Sequence, residues 1–299
     1  MTNFIGEIAG ILASFLYAVN AVFLTRASRQ IGSVITNRIR VAFALVYLLI
    51  LNLILFGQPM PFGAGADRWG WLLLSGVIGL ALGDFFLFQS YLAIGPRIGT
   101  LLASLSTVFG ILEAWLFLGE TLNLLQTAGI ALTLGGIAWV ILERTNGQEP
   151  LHVNAASGIL FGVLAALGQS TGFVLSKQGM AGDFSPFQGN VIRMSAAVLA
   201  LWLMAFFQKD LRNTVQTVRQ NIPTLKVLAL AALIGPVLGV SASLLSLQHV
   251  EVGIASILTS LPPIFILPIS HFFFKERLGW QAVAGTLLAM VGVSLLFLK

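Results

Sequence analysis

TLLASLSTVFGILEAWLFLGETLNLLQTAG, residues 100–129, reads as an apolar helix, a short turn (Gly119-Glu120-Thr121) and the start of a second apolar helix. The stretch returns as SILTSLPPIFILPISHFFFKERLGWQAVAG, residues 256–285, a constant 156 positions later. The overlay extends without gaps over Gly79–Leu142 and Gly235–Leu298, with 17 identities in 64 positions. Leucines match by chance in apolar sequence. The informative identities are Gly79/Gly235, Gly83/Gly239, Glu120/Glu276, Gly129/Gly285 and Gly136/Gly292. A duplication this long decides the architecture, because each copy must be built as the same structural unit.

The duplicated unit is a membrane unit. The chain of 299 residues is 57% hydrophobic and 9% charged, where a soluble domain carries about 25% charged residues. Apolar runs of about 20 residues recur from end to end, each long enough to cross a hydrocarbon core of about 30 Å. They are continuous rather than alternating, which predicts helices and not a β-barrel. The net charge of +5 comes from loop Lys and Arg and informs topology rather than nucleic-acid binding. With no cysteine, disulfides and thiolate metal sites are excluded. No Lys or Arg precedes the first apolar run, so that run is expected to be a spanning helix and not a cleaved signal.

Ten spans are expected, near residues 6–26, 33–56, 69–92, 97–118 and 122–142, then 157–177, 187–208, 224–247, 253–274 and 279–298. A polar linker, 143–156 (ERTNGQEPLHVNAA), divides a first repeat at 1–142 from a second at 157–299. The overlay reaches the early helices too. GEIAG (6–10) matches GILFG (158–162), and Asn37-Arg38-Ile39-Arg40 matches Asn190-Val191-Ile192-Arg193. Five spans per repeat force the second copy to enter the membrane from the opposite side, so the expected fold is all-α, two inverted five-helix repeats. Odd-numbered loops and their helix ends hold 12 of the 16 Lys and Arg. That bias predicts cytoplasmic odd loops and both termini on the non-cytoplasmic side. In the loop 208–224, Leu211, Val215, Val218 and Ile222 fall at helical spacing among Lys209, Arg212 and Arg219. It reads either as a short interfacial helix on an anionic leaflet or as a solvated loop.

An ionisable group in a spanning helix costs about 2.5–3.5 kcal/mol on insertion scales, so each needs a reason. Asp84 is expected well inside span three, as a proton or substrate-amine site or as a carboxyl bonded to a neighbouring helix; its repeat mate is Val240, so it is not repeat architecture. Glu113, in span four, reads as a cavity carboxylate or as a helix-end residue. Arg40 and Arg193 are repeat mates, as are Glu120 and Glu276. In an inverted arrangement Arg40 and Glu276 share one face and Arg193 and Glu120 the other, which predicts two ion pairs acting as alternating latches. The competing reading has each Glu held by the N-terminal dipole of its following helix. Tyr17, Asn20, Gln89, Tyr91, Gln169 and Ser170 are candidate cavity groups or interhelical hydrogen bonds. His271 reads as a proton shuttle or as a partner for a backbone carbonyl freed by Pro268. Pro236, Pro262, Pro263 and Pro268 mark the second repeat as the more bendable.

Ten spans in two halves, with FLGETL (117–122) closing a helix in one and FFKERL (273–278) in the other, resemble the EamA-type transporters of the drug/metabolite transporter superfamily. The Arg at the start of the second helix of each repeat, Arg40 and Arg193, is similar to the family pattern. The resemblance covers nearly the whole chain. It implies a central cavity between the halves, alternating access, and export of amino acids, other metabolites or drugs across a bacterial inner membrane. Apart from the resemblance, the sequence has no H-E-x-x-H and no carboxylate cluster with metal-ligand spacing, so no cofactor and no metal is expected. The partners expected are a small-molecule substrate, the lipid bilayer and protons as coupling ion, in a monomer or homodimer; a carrier for lipid-linked substrates is the alternative. Gly168-Gln169-Ser170-Thr171-Gly172 fits the G-x-S-x-G of a nucleophile elbow, but it falls inside a spanning helix and lacks that motif's strand–turn–helix context. There is no P-loop, so the chain carries no ATP-driven pump of its own.

Overall fold

The computed structural model describes residues 4–118, 123–146, 155–182, 184–250, 255, 258–274 and 279–295. All regular structure within them is helical. The first half holds α1 (Ile5–Ile31), α2 (Ser33–Phe56), α3 (Ala66–Ser75), a π-helical segment (Gly76–Gly83), α4 (Asp84–Ala103), α5 (Leu105–Leu118) and α6 (Leu124–Asn146). The second holds α7 (Ala155–Gly179), α8 (Pro186–Phe207), α9 (Leu211–Gln220), α10 (Ile222–Ala232), a second π segment (Leu233–Gly239), α11 (Val240–His249), α12 (Pro262–Phe274) and α13 (Trp280–Leu295).

Glycine punctuates the long apolar runs. Gly32, at φ 79°, separates α1 from α2, and Gly95, at φ 81°, breaks α4 just before Pro96. Both need a backbone that a side chain disfavours. Arg26 and Arg29, counted with the first loop and its helix ends, lie in the last turns of α1. The break at Gly95 makes Ala66–Ile94 one kinked rod and starts another at Pro96, close to the boundary expected between spans three and four. Among the described residues six helical stretches are long and apolar enough to cross a membrane, and the ends of the two halves contribute shorter apolar helices. Ile8, Leu53, Ile54, Leu203 and Phe206 stay more than half exposed. The interior is built instead from Ala, Gly, Ser and Thr beside larger apolar groups. That inversion suits lipid, where association rests on close packing and polar contacts rather than on expelling water.

The closest packing joins the halves. Gly6 abuts His249 and Val250, Gly10 abuts Ser246 and Leu258, Tyr17 abuts Gly239, and Asn20 abuts Gly235. The matching contacts are Gly158 with Ala93 and Ile94, Gly162 with Ser90 and Leu102, Gln169 with Gly83, and Gly172 with Gly79. Every partner in the second set is the repeat mate of its counterpart in the first. In each set, positions rising along one helix meet positions falling along the other, so these pairs are antiparallel. The last helices repeat the device: a Cβ on Gly136 would come 2.5 Å from the Ala289 nitrogen, and one on Gly292 2.4 Å from the Thr133 nitrogen. Thr133 and Ala289 are themselves repeat mates. Helices α6 and α13 therefore also run antiparallel, exchanging equivalent contacts.

The segment between α8 and α10 is the helix α9, so the periodicity of loop 208–224 is structural. Its start is fixed from inside the protein. Arg38, fully buried in α2, forms an ion pair with Asp210 and donates to Thr214 Oγ1 at 2.8 Å. The Arg38 guanidinium, helped by the Asn213 amide at 3.0 Å, holds the Asp210 carboxyl below the usual carboxylate range.

Candidate functional site

The two π segments end on Gly83 and Gly239, which are repeat mates. A π turn widens the helix and shifts its carbonyls off the i→i−4 ladder, leaving them available to other donors. In each half an asparagine from the second helix supplies that donor. The Asn37 amide donates to Ala81 O at 3.3 Å and Leu80 O at 3.5 Å. The Asn190 amide donates to Pro236 O at 2.7 Å and Ser241 Oγ at 3.1 Å. Leu80 and Pro236 occupy equivalent places, so the proline in the second half sits where the helix ladder is already broken.

Three residues after each asparagine, on the same helical face, stands an arginine. Arg40 forms an ion pair with Asp84, the first residue of α4 after the π segment. It also donates to Asn37 Oδ1 at 3.0 Å and lies 5.1 Å from the Phe88 ring centroid. Both charged side chains are buried, Arg40 at 4% and Asp84 at 8% exposure. Arg193 is buried to 6% in α8, with its guanidinium over Gly79 and its backbone oxygen against Gly76. Where Arg40 has Asp84, Arg193 has Val240. No carboxylate among the described residues lies within ion-pair distance of Arg193, and its Nε is without a hydrogen-bond partner. Asp84 and Tyr17 act on it electrostatically at longer range. Among the described residues the buried centre thus holds two guanidinium groups and one carboxylate.

The remaining expected residues surround this centre. The Tyr17 hydroxyl donates to Ser243 Oγ at 3.1 Å, next to Gly239. Asn20 is buried against Gly235. Tyr91 stacks on Phe88 with ring centroids 6.2 Å apart. Gln89 and Gln169 are half-buried on α4 and α7. Glu113 stands slightly apart, accepting from Thr171 Oγ1 at 2.8 Å and Ser170 Oγ at 3.1 Å. Two hydroxyl donors on α7 give it a structural tie between α5 and α7. Ser170 is thereby occupied inside a continuous helix, not raised on a strand–turn–helix elbow. His271 is exposed on α12, its ring 5.5 Å from that of Phe272.

Glu120 and Glu276 lie outside the described residues. The carboxylate that engages Arg40 is Asp84, from the same half. Sequence reading singled out both residues but not their pairing, since 44 positions separate them and no local spacing links them. Asn37, Phe88, Ser243 and the Arg38–Asp210 tether were not identified as site residues. The recurrence of Asn-x-x-Arg at 37–40 and 190–193 was the available signal for the asparagines.

The family model for the EamA-like transporter family matches the chain twice, over residues 4–142 and 156–298. An uncharacterised transporter of Haemophilus influenzae is 24% identical over 230 residues, covering 77% of this chain and 72% of the relative. An uncharacterised transporter of Synechocystis sp. is 27% identical over 261 residues, covering 78% and 74%. A solved crystal structure aligns over 98% of this chain and 96% of its own length with a TM-score of 0.63; at 14% identity this is a likeness of fold. With two family matches spanning nearly all of a multi-pass helical membrane chain, the protein belongs to the EamA-like transporter family.

Proposed function

We propose that the protein is a secondary transporter that exports small metabolites, such as amino acids or related compounds, across the cytoplasmic membrane by alternating access. The observation that carries this reading is the buried Arg40–Asp84–Arg193 centre, set where the π-kinked third helix of each half crosses the first helix of the other. Buried charge in a spanning region is expensive and is retained where it serves a pathway. Broken helices at the junction of two repeats are the usual construction of a carrier site. The exchanged antiparallel contacts between repeat mates support an inverted arrangement of repeats at 1–142 and 157–299, in which one half rocks against the other. Lys and Arg bias supports termini on the non-cytoplasmic side.

Asp84 is the proposed coupling group. Protonated, it loses its ion pair with Arg40 and frees α2 to shift along the π segment; ionised, it restores the pair. Tyr17, Asn20, Gln89 and Gln169 would line the solute path, and Glu113 would hold α5 to α7 through the cycle. The test is uptake into proteoliposomes, scored by mass spectrometry, from a pool of amino acids, nucleosides, sugars and organic acids. Movement of one chemical class in protein-containing vesicles and not in empty ones is expected. If no pool member moves while a fluorescent lipid-linked probe crosses, the protein is a flippase and the metabolite reading is wrong.

A further inference from the structure

The second half repeats the asparagine, the π segment and the arginine of the first centre without its acid. Asn190 takes the place of Asn37, the π segment ending at Gly239 that of the one ending at Gly83, and Arg193 that of Arg40. Val240 then stands at the position of Asp84. The first half neutralises its arginine internally; among the described residues the second does not. With its one carboxylate committed to Arg40, the centre formed by the described residues carries one uncompensated positive charge, which is costly unless something pairs with it. The open donor is the Nε edge of Arg193; the Tyr17 hydroxyl is given to Ser243 Oγ and the Ser243 hydroxyl to Val240 O at 2.9 Å. That edge suits a planar monoanion that guanidinium can grip through two parallel hydrogen bonds. A phosphate monoester, at about −1.5 to −2, would overcompensate the single excess charge.

Resting on the transporter reading, we propose that Arg193 is the anchor for the substrate's carboxylate, so that the transported class consists of solutes bearing one carboxylate group. The substrate supplies in the second half what Asp84 supplies in the first. Binding then completes the charge symmetry of the two halves.

The experiment uses the purified full-length protein in detergent and matched probes: L-leucine, L-phenylalanine and isovalerate against leucinamide, phenylalaninamide and isovaleramide. A short-chain phosphatidylglycerol is the lipid probe. The readout is the thermal midpoint as a function of probe concentration. At least one carboxylate is expected to give a saturable rise of about 2 °C or more, its amide none. Arg193→Gln abolishes the rise and Arg193→Lys keeps part of it. Val240→Asp supplies the missing acid from within: its midpoint without probe is expected above that of the wild type, and its response to carboxylates is lost. This variant keeps the test decisive even where Arg193→Gln does not fold. Equal responses to acids and amides, no response to any carboxylate, or a wild-type response in Val240→Asp overturns the assignment. A rise with phosphatidylglycerol alone assigns the centre to a lipid headgroup and also overturns it. Uptake of the same probes into proteoliposomes separates the two readings. Transport indifferent to the carboxylate leaves the carrier standing and removes the anchor; binding without any transport removes the carrier.

Discussion

At the scale of single residues, the energetics turn on who neutralises each buried arginine. Removing one partner of a buried ion pair costs about 3–5 kcal/mol, because the other charge is left uncompensated. Asp84→Asn is therefore expected to lower stability by about that amount, measured by denaturant or thermal unfolding in detergent, and Arg40→Gln on top of it to recover part of the loss. If the two changes add, the ion pair is not what holds the residues there. The tether of α9 gives a pH prediction. The Asp210 carboxyl is held below its ordinary range by Arg38, so its contribution is present above the ordinary carboxylate pKa of about 3.9 and is lost as pH falls through the lower folded value. The wild type is expected to exceed Asp210→Asn in thermal midpoint at neutral pH, with the gap closing below about pH 4. A pH-independent gap would contradict the pairing. The sequence announced Asp84, Arg40 and Arg193 individually, since any charge in an apolar run is conspicuous. It did not announce that Asp84 serves Arg40, because that depends on how the third helix turns after its π segment, a tertiary fact with no local period.

At the scale of elements, glycine sets how closely the helices approach. A Cβ at Gly76 would come 2.2 Å from the backbone oxygen of Arg193, which cannot move aside as a side chain could. Gly76→Ala is expected to cost about 1–3 kcal/mol through the displacement it forces, and to shift Arg193 with it. Gly135 has open space around it, so Gly135→Ala should be neutral or slightly stabilising, as alanine is the better helix former. Equal effects at the two positions, measured by thermal unfolding, would sink the close-approach argument. The matched glycines of the repeat were legible in sequence as packing positions, and the structure shows what each touches. The π segments were not legible. Their apolar sequences, GVIGLALG and LIGPVLG, satisfy an α-helix equally well, and only the asparagines waiting for the freed carbonyls distinguish them.

At the scale of the whole molecule, the exchanged contacts make a geometric prediction that needs no knowledge of the substrate. A Cβ at Gly10 lies 2.9 Å from Ser246 Oγ and one at Gly162 lies 3.1 Å from Ser90 Oγ, within cross-linking reach for cysteines once Leu258 and Leu102, which those Cβ atoms meet at 2.7 and 2.5 Å, shift aside. The chain has no native cysteine. Gly10→Cys with Ser246→Cys, and Gly162→Cys with Ser90→Cys, should each cross-link on oxidation, read by a mobility shift on denaturing gels that reductant reverses. Cross-linking of one pair and not its mate would break the equivalence of the halves. The central claim is that the buried Arg40–Asp84 pair couples solute movement to protons. The most direct measurement is pool uptake into proteoliposomes, with and without an imposed pH gradient, for the wild type and Asp84→Asn at temperatures well below both unfolding midpoints. Gradient-driven accumulation by the wild type, reduced to gradient-independent exchange or lost altogether in Asp84→Asn, is the predicted result. Accumulation in Asp84→Asn that still follows the gradient would contradict it.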